Sequence, residues 1–97
     1  MGKLIRFLLH HISFVVFSAD INENRRHIHA VKAQKDTKIC KYWIEHKGQK
    51  DISMEYNYGF TRKELNKIEK LVNENYEIIN KQLDDFYKGL TVKSIEI

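Results

Sequence analysis

The stretch FTRKEL at residues 60–65 marks the point where the chain changes character. It fits a capping box, in which the Thr61 hydroxyl accepts a hydrogen bond from the Glu64 amide and the Glu64 carboxylate accepts one from the Thr61 amide. Phe60 and Leu65 stand at the positions of a hydrophobic staple, which fixes the direction in which a chain enters a helix. We therefore predict that a helix begins at Thr61, with β-prone sequence before it.

The residues after Thr61 carry one apolar helix face, because apolar side chains recur at spacings of three and four. These residues are Leu65, Ile68, Leu71, Val72, Tyr76, Ile79, Leu83 and Phe86. Gly89 is typical of a helix stop. The Asn-Glu-Asn cluster at 73–75 favours a kink or a break, so residues 61–88 are predicted to form one long kinked helix or two helices.

The residues before Thr61 contain runs of β-branched and aromatic side chains that are separated by polar turns. Strands are predicted over 12–18, 27–33 and 37–45, with a weaker strand at 52–56 and a short strand or lead-in at 4–9. The short connections between successive strands favour antiparallel pairing. In the strand at 37–45, Cys40, Tyr42 and Ile44 share the predicted core face, whereas Trp43 lies on the other face as partial cover or as an exposed aromatic.

The predicted fold class is therefore α+β. An antiparallel β-meander of three to four strands within residues 4–56 packs against the helical segment 61–88. Residues 1–89 form a single domain, and residues 90–97 form a C-terminal tail. This β-prone tail could add to a sheet edge or pair with another chain, but fraying is the ordinary expectation for a terminus.

The composition excludes several classes of protein. With 97 residues, 42% hydrophobic and 31% charged, the chain is long enough for one core and too apolar for wholesale disorder. A single cysteine excludes an intramolecular disulfide framework and a zinc site made of cysteines alone. The net charge of +4 is uneven, since residues 1–60 hold ten basic against six acidic side chains and residues 61–97 hold seven of each.

The first residues have the basic start, apolar stretch and small-residue end of a secretory signal, but His10 and His11 interrupt the apolar stretch. The β-branched and aromatic residues at 12–17 favour a buried strand instead. No stretch is long enough for a membrane-spanning helix. We expect a cytoplasmic protein that has no contact with a membrane.

His27 and His29 are the residues whose spacing most suggests chemistry, because side chains two apart on a strand project from one face. With Asp20 they are the candidate catalytic residues, and with Glu23 they are the candidate metal ligands. The alternative is that both imidazoles pack into the sheet. No nucleophile or carboxylate pair accompanies them, and Cys40 falls on the core face. The sequence thus predicts no cofactor and leans away from an enzyme.

Basic residues gather around the second and third predicted strands and surround an aromatic side chain. The candidate nucleic-acid-binding residues are Arg25, Arg26, Lys32, Lys38, Lys41 and Trp43. Lysines can follow the phosphates of a single strand while a ring stacks on its bases. The alternative is that the lysines protect a solvated sheet edge.

Five segments together resemble the small bacterial proteins of domain-of-unknown-function family 4160. They are FSAD at 17–20, HIHA at 27–30, CKYWI at 40–44, YGFTRKEL at 58–65 and the spacing Asn75-x-x-x-Ile79. Their order and spacing match over residues 4–88. The chain departs from the family pattern at 24–26, where prolines are usual, and near Leu83, where tryptophan is common.

The resemblance implies a compact α+β domain of bacterial origin, often one of a gene pair with another small protein, as in toxin–antitoxin systems. It supplies no catalytic mechanism, although His27 and His29 match its most characteristic motif. Our leading hypothesis is a toxin-like interaction protein that binds a small cognate protein partner. The alternative is a protein that binds or cleaves RNA through the basic sheet face and the His27/His29 pair. A metal-dependent activity at that pair is a third hypothesis.

Overall fold

The structure is a computed structural model that describes residues 2–17, 22, 25–33, 36–44 and 52–97. Within these residues the strands and helices follow one another as β1 (Gly2–Phe7), β2 (Ile12–Val16), β3 (His27–Lys32), β4 (Lys38–Ile44), β5 (Ile52–Tyr58), α1 (Arg62–Glu74), α2 (Tyr76–Tyr87) and β6 (Ile95–Glu96). The strands form one sheet in the order β5-β4-β3-β2-β1-β6, and the apolar faces of both helices share a single core with it. The α+β prediction is confirmed.

The described sheet has more strands than the predicted three to four. The strand or lead-in predicted at 4–9 is a full strand, β1, which runs from Gly2 to Phe7 and pairs antiparallel with β2. Strands β2 to β5 continue this antiparallel meander as predicted. However, β6 pairs with β1 in parallel, so the sheet is mixed. Addition of the tail to a sheet edge was one of the alternatives to fraying. The sequence pattern did not favour it because the pairing joins the two ends of the chain, which no local turn signal connects.

The expected fraying of the tail 90–97 is wrong, because two kinds of contact hold it. Ile97 exchanges backbone hydrogen bonds with β1 and the turn after it: its amide donates to the Arg6 carbonyl at 2.9 Å, and its carbonyl accepts from the Leu8 amide at 3.0 Å. The side-chain amide of the buried Gln82 donates both to the Leu4 carbonyl at 2.7 Å and to the Lys93 carbonyl at 3.0 Å.

The helical half confirms the capping box and the predicted break. The Glu64 amide donates to the Thr61 hydroxyl at 3.2 Å, and the Thr61 amide donates to the Glu64 carboxylate at 2.9 Å. Asn75 has non-helical dihedrals of φ −115° and ψ 19°, so α1 and α2 are two helices, the second of the two predicted alternatives. Gly89 follows α2 with φ 75° and ends it, since a left-handed residue cannot continue a helix.

The core face of β4 is the predicted one. Cys40, Tyr42 and Ile44 are at most 1% exposed, and they pack with the apolar stripes of α1 and α2. The Tyr42 hydroxyl donates to the Glu69 carboxylate of α1 at 2.7 Å, which satisfies the polar end of the buried ring. Trp43 is half-buried on the opposite face, so it is a partial cover of the sheet.

The segment compared with a secretory signal forms β1 and β2, and Phe14 and Val16 of β2 lie in the core. None of the helices in the described part of the chain is long and apolar enough to cross a membrane.

Candidate functional site

The sheet face opposite the helices carries both histidines of the predicted motif. The register pairs His27 with Trp43 and His29 with Lys41, and Lys41 pairs in turn with Tyr56 of β5. Paired residues of antiparallel strands project from the same face. The structure therefore brings together five side chains on one face, which we call the histidine cluster: His27, His29, Lys41, Trp43 and Tyr56.

The rings of the histidine cluster are in contact. The centroid of His27 lies 5.3 Å from that of His29 and 5.6 Å from that of Trp43, both in edge-to-face geometry. His29 Nδ1 lies 3.1 Å from the Tyr56 hydroxyl, and His27 Nδ1 lies 2.9 Å from the Arg25 carbonyl. A carbonyl only accepts hydrogen bonds, so the proton of the neutral His27 imidazole is on Nδ1.

The histidine cluster is an interior feature of this conformation. His27 is 0% exposed and His29 is 5% exposed, and the Phe17 ring lies 4.6 Å from the His29 ring. The Lys41 ammonium is buried as well, 3.0 Å from the Glu55 carboxylate. Buried imidazoles can hold and pass protons, but a polymeric substrate reaches them only if the surrounding surface opens.

The structure does not describe the two carboxylates that the sequence added to the histidines. Asp20 and Glu23, the candidate catalytic and metal-ligating carboxylates, fall outside the described residues. Across the ranges that are described, no three His, Cys, Asp or Glu side chains converge as a metal ion would require. The ring nitrogens of the two histidines contact the Arg25 carbonyl and the Tyr56 hydroxyl.

The six candidate nucleic-acid-binding residues do not form one surface. Arg25 and Lys41 both contact Trp43, with the guanidinium carbon 4.2 Å and the ammonium 4.5 Å from the ring centroid. Arg26 instead reaches α2, donating to the Asn80 side-chain oxygen at 2.8 Å and to the Asp84 carboxylate at 3.1 Å.

Lys32 and Lys38 lie on the helix side of the sheet, since they continue the alternation of the core residues Ala30 and Cys40. The Lys38 ammonium donates to both carboxylate oxygens of Glu64, at 2.9 and 3.1 Å, and Lys32 lies 3.7 Å from the same carboxylate. Hydrogen bonds from the Thr61 amide and from Lys38 lower the pKa of Glu64 to about 2. Both lysines therefore serve, at least in part, to hold α1 against the sheet.

Cys40 lies on the core face, as the alternation of β4 predicted. The residue is buried beneath the helices, and this burial raises the pKa of its thiol to about 12. A thiol with so high a pKa is almost entirely protonated at neutral pH, and the thiolate is the nucleophilic form.

Sequence reasoning missed Phe17, Glu55 and Tyr56 as neighbours of the histidines. A bulge shifts the register of β4 and β5 between Lys41 and Tyr42, which brings both Glu55 and Tyr56 to Lys41. The alternation of Tyr56 and Tyr58 signals a strand with one aromatic face, but the position of a bulge has no comparable signal.

A second candidate site is the outer edge of β5. This strand ends the sheet, and no strand in the described residues pairs with its outer side. Its exposed side chains include Met54, at 39%, and Tyr58, at 65%. Residues 52–58 contain neither lysine nor proline, the residues that commonly protect an edge against strand addition.

Comparison with known proteins identifies one family. The profile of the family described as Domain of unknown function (DUF4160) matches residues 12–83, from the start of β2 into the last turns of α2, and this range includes the whole histidine cluster. Comparison with curated proteins and with solved structures found no match. Since the profile covers well over half of the chain, the protein belongs to the family Domain of unknown function (DUF4160).

Proposed function

We propose that this protein is a small interaction protein that binds a cognate protein partner by accepting a strand of that partner at the edge of β5. The open edge of β5 is the observation that carries the proposal. An extended segment gains backbone hydrogen bonds at such an edge, and neighbouring side chains set its specificity.

The side chains beside the edge support a protein as the ligand. Tyrosine and methionine are enriched in protein interfaces, and Tyr58 and Met54 are among the exposed large hydrophobic residues of the described chain. Glu55 is held by Lys41 at 3.0 Å, which reduces the cost of covering its charge.

A different protein is favoured over a second copy of this chain. Two β5 strands that paired antiparallel along all seven residues would be centred on Glu55, so two identical carboxylates would face each other. Like charges directly opposite one another destabilise a strand pair. A partner strand with apolar residues opposite Met54 and Tyr58 has no such penalty.

The toxin–antitoxin part of the proposal rests on the family resemblance set out above. In that reading this chain is the toxin-like member of a two-protein system, and the strand at β5 belongs to its small antitoxin. Expression of this chain alone in bacteria should then slow growth, and co-expression of the protein from the adjacent gene should restore it. Unimpaired growth at a verified level of folded protein would contradict the toxin-like role.

Binding at β5 is tested by titrating this protein with the protein from the adjacent gene. Replacement of Met54 by Lys together with Tyr58→Lys places charges along the edge and should weaken binding at least about tenfold. Ile78→Lys on α2 is a control with a single added charge, since Ile78 is 41% exposed and far in sequence from the edge. Amide hydrogens of β5 should exchange more slowly in the complex.

Three outcomes would count against the proposal. They are the absence of a complex, equal weakening by the β5 and α2 variants, and unchanged exchange of the β5 amides. A homodimer that the β5 variant disrupts would identify a second copy as the occupant, and would overturn the assignment to a different protein.

The RNA-binding or RNA-cleaving alternative on the sheet face stays a prediction. It requires access to His27 and His29, which are at most 5% exposed. It also requires Arg26 and Lys38 to leave carboxylates that they contact at 3.1 and 2.9 Å. The interaction at β5 requires no such rearrangement of the described residues, which is why we rank it first.

A further inference from the structure

The outer face of α1 carries a row of lysines, although the helical part of the chain has no net charge overall. Lys63, Lys67 and Lys70 are all exposed, and their spacings of four and three residues place them along one side of the helix. At about 1.5 Å of rise per residue, the row extends about 10 Å along the helix axis. We call these three residues the lysine row.

Residues 61–97 have equal numbers of acidic and basic side chains, but these are separated along the chain. Residues 61–70 hold four basic and two acidic side chains, whereas residues 71–97 hold three basic and five acidic ones. The first half of α1 is therefore positively charged, and α2 with the tail is negatively charged.

The two carboxylates in this part of α1 already have partners within the protein. Glu64 binds the Thr61 amide and Lys38, and Glu69 accepts a hydrogen bond from Tyr42. In contrast, the lysine row makes no ion pair with any residue that the structure describes. Among the described residues, no carboxylate neutralises the positive charge of the row.

The N-terminal end of the row borders a groove between α1 and the sheet. The cavity there has a volume of about 210 Å³, and it is lined by His10, Ile12, Lys32, Lys63, Glu64 and Lys67. Three ammonium groups and an imidazole thus surround a single carboxylate, which Lys38 also contacts at 2.9 Å. A concave surface on which one sign of charge predominates concentrates ligands of the opposite sign, and here the cations outnumber the single carboxylate.

We propose that the lysine row, with Lys32 at its N-terminal end, binds the phosphate backbone of a nucleic acid. Regularly spaced ammonium groups neutralise successive phosphates and release their counterions. Protein interfaces are depleted in lysine, so a row of three exposed lysines favours a nucleic acid over a protein as the ligand. Such a site positions the protein without reading sequence. It lies on α1, away from the histidine cluster, and does not depend on the partner at β5.

The test is fluorescence anisotropy of the intact protein with a labelled single-stranded RNA and with a labelled DNA duplex, across 50 to 200 mM salt. The variant replaces Lys63, Lys67 and Lys70 by Gln. The matched control replaces Lys81, Lys88 and Lys93 by Gln, three exposed lysines at the α2 end of the chain. Both variants lose three positive charges, so their net charge falls equally from +4 to +1.

The row variant should bind on the order of tenfold more weakly at low salt. The magnitude of its negative slope of log affinity against log salt should decrease by about 2 for the single strand and by almost 3 for the duplex. The control should bind as the wild type does. The nucleic acid that the wild type binds more tightly at a given salt concentration is the one that the row prefers. Circular dichroism confirms that each variant is folded.

The proposal is overturned if the wild type binds neither nucleic acid at 50 mM salt, or if binding does not depend on salt. Equal weakening in both variants would show a general charge effect rather than a site. Binding of an acidic protein to the row, when neither nucleic acid binds, would show that the ligand is a protein and would also overturn the proposal.

Discussion

The guanidinium of Arg26 lies 3.1 Å from the carboxylate of Asp84, which joins the residue before β3 to the last turn of α2. The same guanidinium donates to the Asn80 carbonyl at 3.0 Å and to its side-chain oxygen at 2.8 Å. A residue whose sequence context predicted contact with RNA thus holds the two layers of the fold together.

Replacement of Arg26 by Gln should lower the free energy of unfolding by about 2 kcal/mol, because hydrogen bonds to a charged group are lost and Asn80 loses a partner. Urea unfolding followed by circular dichroism measures the change. Arg62→Gln is the control, since Arg62 is 64% exposed, lies 3.5 Å from Glu69 and should cost less than about 0.5 kcal/mol. Equal losses in the two variants would show that Arg26 contributes only as a surface ion pair.

Replacement of Gln82 by Leu should release the C-terminal strand. The side-chain amide of Gln82 bonds the carbonyls of Leu4 and Lys93 at once, so its loss leaves the Leu4 carbonyl buried without this donor. We expect a loss of about 1 to 3 kcal/mol and much faster hydrogen exchange at the Ile97 amide. Exchange measured by NMR should be unchanged in Lys81→Leu, a control at the exposed neighbouring position. Ile97 exchange that matched wild type in the Gln82 variant would contradict this role.

The carboxylate of Glu64 should make stability depend on pH in the acid range. Its folded-state pKa is lowered from 4.5 to about 2, so its contribution is fully present above pH 4.5 and is lost as the pH falls towards 2. Since solvent reaches about a quarter of the side chain, we expect a contribution of about 1 to 2 kcal/mol.

Glu64→Gln provides the comparison, because glutamine can keep the capping box while it removes the charge. Unfolding free energies at pH 6, 4.5, 3 and 2 should converge for the wild type and the variant as the pH falls. A constant difference across this range would mean that the Glu64 charge is not the source of the pH dependence.

The contact between His29 and Tyr56 is tested with a double-mutant cycle. Tyr56→Phe removes the hydroxyl that lies 3.1 Å from Nδ1, and His29→Phe removes the nitrogen while it keeps a ring in place. We expect a coupling energy of about 1 kcal/mol in thermal or urea unfolding. Tyr58→Phe is the control, because this tyrosine is 65% exposed and should show no coupling to His29. Additive effects of the first pair would show that the hydrogen bond does not stabilise the fold.

The features predicted well from sequence are those that depend on neighbours along the chain. The capping box needs only Thr61 and Glu64, three residues apart, and both of its hydrogen bonds are present. The alternation that placed Cys40, Tyr42 and Ile44 in the core follows from strand geometry alone. The same rule placed His27 and His29 on one face, although their burial depends on what packs around them.

The features missed by sequence reasoning are contacts between distant segments. Lys38 and Glu64 are 26 residues apart, and Arg26 and Asn80 are 54 apart, so no local pattern distinguishes these cations from solvent-exposed ones. A balanced count over residues 61–97 likewise hid the charge difference between the start of α1 and α2. A total of charged residues does not show where the charges lie, whereas the electrostatic potential of a surface depends on their positions and on which of them are paired.

By itself, the sequence determined the α+β class, the start of α1, the core face of β4 and the family, since hydrophobic period, capping chemistry and motif spacing are local properties. Only the tertiary structure decided that β6 pairs with β1 at the edge of the sheet, that the histidine cluster is buried, and that three of the candidate cations contact helix carboxylates. These outcomes depend on contacts between segments that are distant in the sequence. Such contacts form only on folding, when hydrogen bonds and ion pairs offset the cost of desolvating the groups that meet.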